Sequence, residues 1–68
     1  MTMSVIDVYR RTLEEEATTV SHLYKALASL YGESKSLRQE RMRPMLDHLS
    51  RAESALQLAV GLWPEELS

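Results

Sequence analysis

Two histidines, His22 and His48, are the side chains of this sequence most able to do metal or acid–base chemistry. Glu15 precedes His22 by seven residues, which returns it to the same helix face, and Asp47 adjoins His48. A carboxylate–histidine set of this kind is the raw material of a divalent-metal site. The Glu-x-x-His spacing of metal-binding helical bundles is absent, however, and all four residues fall on or beside a polar face. A solvated helix surface explains them better, so no metal is expected. No serine is accompanied by a sharp turn or an oxyanion-type loop, and two helices alone enclose no pocket that excludes water from a substrate. There is no cysteine, which removes thiol chemistry, disulfides and zinc–thiolate sites. The expectation is therefore no enzyme, no catalytic residue, no cofactor and no small-molecule substrate.

The second candidate is the basic cluster Lys35, Arg38, Arg41 and Arg43. Such a group at a helix start can grip phosphates or an acidic partner. Glu33 and Glu40 lie within it, no aromatics interleave it, and ten acids against eight bases leave a net charge of −2. Phosphate neutralisation needs a basic excess, so nucleic acid is not the expected partner. The acid run Glu14–Glu16 reads as a solvated helix face.

Whatever these residues do, helices position them. The chain has 68 residues, two glycines (Gly32, Gly61) and two prolines (Pro44, Pro64). From Ser4 to Tyr31, Ile6, Tyr9, Leu13, Val20, Leu23, Leu27 and Leu30 recur at steps of three and four, with Glu16 filling the one gap. Ala17, Tyr24 and Tyr31 widen that stripe. Ser4 with Asp7 forms a capping-box-like start, Met3 and Val8 sit where a hydrophobic staple would close, and Gly32 suits a left-handed helix end. Helix 1 is thus expected over about 4–31, roughly 42 Å long. A polar turn at 32–36 follows, with Ser36-x-x-Gln39 as a second capping box. Beyond it Met42, Met45, Leu49, Ala52, Leu56, Ala59 and Trp63 keep an a/d alternation, flanked by Leu46 and Val60.

Helix 2 is expected over about 37–62, kinked or restarted between 40 and 44 because Pro44 removes a hydrogen bond to Glu40. Pro64 leaves 63–68 as a loose tail. The fold class is all-α: one antiparallel two-helix hairpin, completed by oligomerisation or by a partner. In that hairpin Glu16 is expected to face Arg51 across the seam. No run approaches the ~18 apolar residues of a membrane span, and no basic segment precedes an apolar stretch as in a signal peptide, so a cytoplasmic chain is expected.

Ordering 68 residues costs on the order of 100 kcal/mol, and so short a chain without disulfides or metal commonly leans on a second chain. Ala55, Leu56, Leu58, Ala59, Val60, Leu62 and Trp63 surround helix 2, whereas packing on helix 1 uses one side. Apolar surface of this kind marks either the core of a homodimeric bundle or a docking face. The expected partner interface comprises Leu56, Leu58, Val60, Leu62 and Trp63 with Tyr24, Leu27, Leu30 and Tyr31. Its partner is a helical protein or a second copy.

The run Leu23-Tyr24-Lys25-Ala26-Leu27-Ala28-Ser29-Leu30, a glycine-containing turn, and Ala52-Glu53-Ser54-Ala55-Leu56 before an aliphatic stretch resemble the YscE-type small co-chaperones of bacterial type III secretion. The likeness spans residues 20–62, and Pro44 departs from an uninterrupted second helix. It implies a two-helix hairpin that joins a repeat-type helical chaperone and keeps the needle subunit from polymerising. Leu27, Leu30, Leu56 and Val60 would then divide between hairpin core and interface. The rival expectation is a small dimeric regulator, an anti-activator or phage-type inhibitor, acting by protein–protein contact.

Overall fold

The computed structural model describes residues 4–67. Helix α1 runs Val5–Glu33 and helix α2 runs Ser36–Gly61; a single 3-10 turn, Glu65–Leu67, follows. The two helices pack as an antiparallel hairpin, 53 Å in its longest dimension and 12 Å in its shortest.

Ser4 opens α1 as its spacing to Asp7 suggested: its Oγ accepts the Asp7 N–H at 3.1 Å, satisfying a donor that the helix start would otherwise orphan. The staple partner Met3 lies outside the described residues. The end of α1 differs from expectation. Gly32 is inside the helix with no left-handed φ, and Ser34 closes it instead. The Ser34 N–H donates to the Tyr31 carbonyl at 3.1 Å and its hydroxyl to the Leu30 carbonyl at 2.6 Å, so an extended residue satisfies the carbonyls that a left-handed glycine would otherwise reach. The second capping box does not form either. Lys35 is the N-cap of α2 and makes no side-chain cap bond, while Gln39 reaches back across the turn to the Tyr31 carbonyl at 2.9 Å.

α2 does not restart at Pro44. The helix is continuous through it, because the loss is one hydrogen bond whose acceptor, the Glu40 carbonyl, sits where both Glu40 and Pro44 are exposed to water. The C-terminal tail is partly ordered: Leu67 N–H donates to the Pro64 carbonyl at 3.0 Å, and Trp63 is half-buried.

The seam is rotated from the expected one. On α1 the covered positions are Leu13, Ala17, Val20, Ser21, Tyr24, Leu27, Ala28 and Tyr31; on α2 they are Gln39, Met42, Leu46, Leu49, Ser50, Glu53, Leu56 and Val60, with Trp63 just past its end. Ala17 and Met42 alone are buried among the described residues, at 2% and 9% exposure. Ile6, Tyr9, Leu23, Leu30 and Met45 are exposed, as are Ala52 and Ala59. Both sets alternate by three and four, so both satisfy the same period; packing chose the neighbouring track. The cross-seam pair of Glu16 and Arg51 is absent: both are exposed, and the ion pair found among the described residues is Arg10–Glu14 at 3.4 Å, on α1 alone.

Candidate partner interface

The rotation has a spatial meaning. At about 100° per residue, Glu16, Leu23 and Leu30 each stand one position before the seam residues Ala17, Tyr24 and Tyr31. Met45, Ala52 and Ala59 each stand one position before Leu46, Glu53 and Val60. In an antiparallel pair, displacements of the same sense fall on the same side. One broad face of the hairpin therefore takes its apolar surface from Tyr9, Leu23 and Leu30 on α1 and from Met45, Ala52 and Ala59 on α2, with Thr12, Glu16, Arg41 and His48 on the same side. The opposite side carries the exposed Arg10, Glu14, Lys25, Arg43 and Gln57, with Ser21, Gln39 and Ser50 half-buried at the edge of the seam.

The nine residues expected at the interface are not gathered into one patch. Tyr24, Leu27 and Tyr31 are half-buried in the seam near the turn, with Leu30 beside them on the apolar face. Leu56, Val60 and Trp63 occupy the seam near the other end, roughly 25 Å away along the helices at 1.5 Å per residue. Leu58 and Leu62 lie one turn apart on the back of α2, 66% and 76% exposed, and touch neither the seam nor the broad face. The indole N–H of Trp63 is shielded from solvent and has no acceptor among the described residues, an arrangement that costs about 1–3 kcal/mol. Sequence reasoning placed Met45, Ala52 and Ala59 inside the seam and so missed them as surface; the signal was present but pointed one position off.

Tyr31 organises the turn. Its carbonyl takes the Ser34 and Gln39 bonds, and its hydroxyl accepts from Arg43 Nη2 at 3.3 Å. That bond and the attraction of the Tyr31 oxygen raise the Arg43 guanidinium further above its ordinary value, with Glu40 and Asp47 adding to it. Arg43 is thus turned to the polar side, while Lys35, Arg38 and Arg41 line an open hollow of about 550 Å³ outside the turn with Glu33, Ser34 and Leu37. The basic cluster is split between two faces instead of forming one phosphate-gripping surface. Among the described residues no group of three or more His, Cys, Asp or Glu could hold a metal ion. No helix of the described residues is long and apolar enough to cross a membrane.

No protein-family model matches the chain, and comparison with curated proteins and with solved structures returns no match. The fold class is an all-helical hairpin with its two helices in contact.

Proposed function

We propose that the chain is a non-enzymatic adaptor that works by helix–helix contact: a small co-chaperone of a bacterial type III secretion system that joins a helical chaperone and helps keep the needle subunit unpolymerised. The observation that carries the contact reading is the pair Leu58 and Leu62, 66% and 76% exposed on the back of a helix whose other side is already used. The secretion setting is supported by the resemblance of the Leu23–Leu30 and Ala52–Leu56 stretches to YscE-type co-chaperones, whose hairpin form this chain shares. The mechanism is masking: covering apolar helical surface on the client removes the surface through which it self-associates.

The test is co-expression of the chain with a type III needle subunit and its repeat-type helical chaperone, followed by solution mass of the purified complex. A stable three-part complex, lost with Leu58→Asp while the variant keeps its helicity, supports the reading. A needle subunit that polymerises regardless of this chain overturns it. A second reading, a small regulator acting by protein contact, is favoured by the broad apolar face. It is separated from the first by which genes neighbour this one.

A further inference from the structure

We propose that the broad face beside the seam is covered by a second copy of this chain, two hairpins closing face to face into a four-helix bundle with their turns at the same end. This goes beyond the adaptor reading and does not rest on it, because Leu58 and Leu62 stay outside the pairing.

The hairpin is a single layer, 12 Å in its shortest dimension, which is about the diameter of one helix. Domains are built from two packed layers. The apolar stripes show where the second layer lies. On α1, Leu13, Val20 and Leu27 turn to the seam, while Tyr9, Leu23 and Leu30 of the same alternation lie exposed on the broad face. On α2, Leu49 and Leu56 turn to the seam, while Met45, Ala52 and Ala59 lie exposed beside it. A stripe half inside a seam and half next to it points between two neighbours, as in every helix of a four-helix bundle. Area agrees. The chain exposes 5555 Å², whereas a compact monomer of this mass exposes about 4,400 Å². The excess is about 1,200 Å² per copy, and burying it on two copies removes about 2,400 Å², the size of a permanent homodimer interface.

Two two-fold axes can press these faces together. With the axis across the helices the turns lie apart and each helix covers its own copy. That lays the row bearing Glu16 on itself, and the row bearing Arg41 and His48 on itself. With the axis along the helices the turns lie together and α1 covers the second copy's α2, so the row with the acid meets the row with the bases. The levels follow from the turn. Gln39 reaches the Tyr31 carbonyl, which puts residues whose numbers sum to about 70 at one height. Tyr9 then lies over the second copy's Ala59, Glu16 over its Ala52, and Leu23 between its Met45 and His48, so bulky side chains meet small ones towards the open end. Where the turns meet, Glu33 lies beside Arg38 and Arg41 in one hollow and offsets part of their charge. One contact opposes the pairing: the two Glu16 carboxylates come to the same height across the dimer axis. A polar residue at such a core position fixes register at a cost in stability, and that cost makes the pairing testable.

Light scattering on the intact chain and three variants over a dilution series tests this. The wild type is expected at twice its 7.8 kDa mass when concentrated. Glu16→Leu removes the opposing carboxylates and is expected to hold the dimer to at least about tenfold lower concentration. Ala52→Asp changes a residue that is exposed in the single hairpin, and is expected to give a monomer where the wild type is dimeric. Leu58→Asp is expected to leave the mass unchanged. The turns are placed by a spin label on Lys35→Cys, a unique thiol in a chain without cysteine. Labels in the dimer are expected within about 20 Å of each other, two helix diameters; with the turns apart, the 53 Å length of the hairpin would separate them. A monomer at every concentration would overturn the proposal and leave the face to a different protein. A dimer that Glu16→Leu does not tighten, one lost with Leu58→Asp but kept with Ala52→Asp, or labels a hairpin length apart would overturn it as well. If the dimer forms and the needle-subunit complex does not, the adaptor reading falls and this pairing stands; the opposite result reverses that.

Discussion

Met42 and Met45 are three residues apart, chemically identical, and equally good seam positions by period, yet the fold treats them differently. Met42 is 9% exposed and Met45 41% exposed. Truncating a buried methionine to alanine costs about 2–5 kcal/mol, the lost transfer energy plus the cavity left behind. Met42→Ala should fall near the middle, at about 2–4 kcal/mol, because a two-helix seam can partly close over the gap. Met45 stands at the edge with water beside it, so its truncation leaves no enclosed cavity and should cost about 1 kcal/mol or less. A chain of this length has about 3–10 kcal/mol of stability, and one in which Ala17 and Met42 alone are buried among the described residues belongs at the low end. Met42→Ala is therefore expected to lose most of its helicity at about 25 °C, while Met45→Ala keeps it. The assay is far-ultraviolet ellipticity across a urea titration in a fixed concentration of trimethylamine N-oxide, which starts wild type and both variants folded and takes each through one unfolding transition. Equal costs for the two substitutions, or a larger cost at Met45, would refute the seam assignment and with it the apolar face.

Other consequences can be checked on the same protein. Pro44→Ala restores the missing hydrogen bond to Glu40 in a helix that is continuous anyway, and should raise stability by about 1–3 kcal/mol, seen as a higher melting temperature; a lower one would mean that the ring makes a packing contact. Gln39→Ala removes the bond to the Tyr31 carbonyl and should cost about 0.5–1.5 kcal/mol in the same melt, with no change pointing to water as an equal substitute. Ser4→Ala should cost about 1 kcal/mol and fray the first turn, detectable as faster amide exchange near Asp7 and Val8; unchanged exchange there would contradict the cap.

The hairpin was legible because its punctuation is sparse and its periods are long. Ser4 with Asp7 marks the start, the polar stretch around Ser34 and Lys35 forces a reversal, and two long apolar alternations must face each other. What the sequence did not resolve was which of two adjacent tracks meets. On α1 the rows through Leu23 and through Tyr24 are both apolar. On α2 Glu53 makes the true seam look polar, and Ala52 makes the exposed row look like core. A single chain records the whole apolar arc of each helix but not where its neighbour sits within that arc. Turn chemistry was misread for a related reason: Gly32 and Ser36 fit standard helix-end patterns, but Ser34 and Gln39 reach the free carbonyls first. The interface residues split between two ends because apolar composition around α2 says nothing about where along the hairpin α1 leaves it bare.

The most direct test of the central claim, that this hairpin is one layer completed by a second copy, is its solution mass by light scattering over a dilution series, with circular dichroism on the same samples. The expected result is twice the 7.8 kDa chain mass at high concentration, with mass and helicity falling together on dilution. A helical 7.8 kDa species at every concentration would contradict it, because the broad face would then need no second copy to cover it.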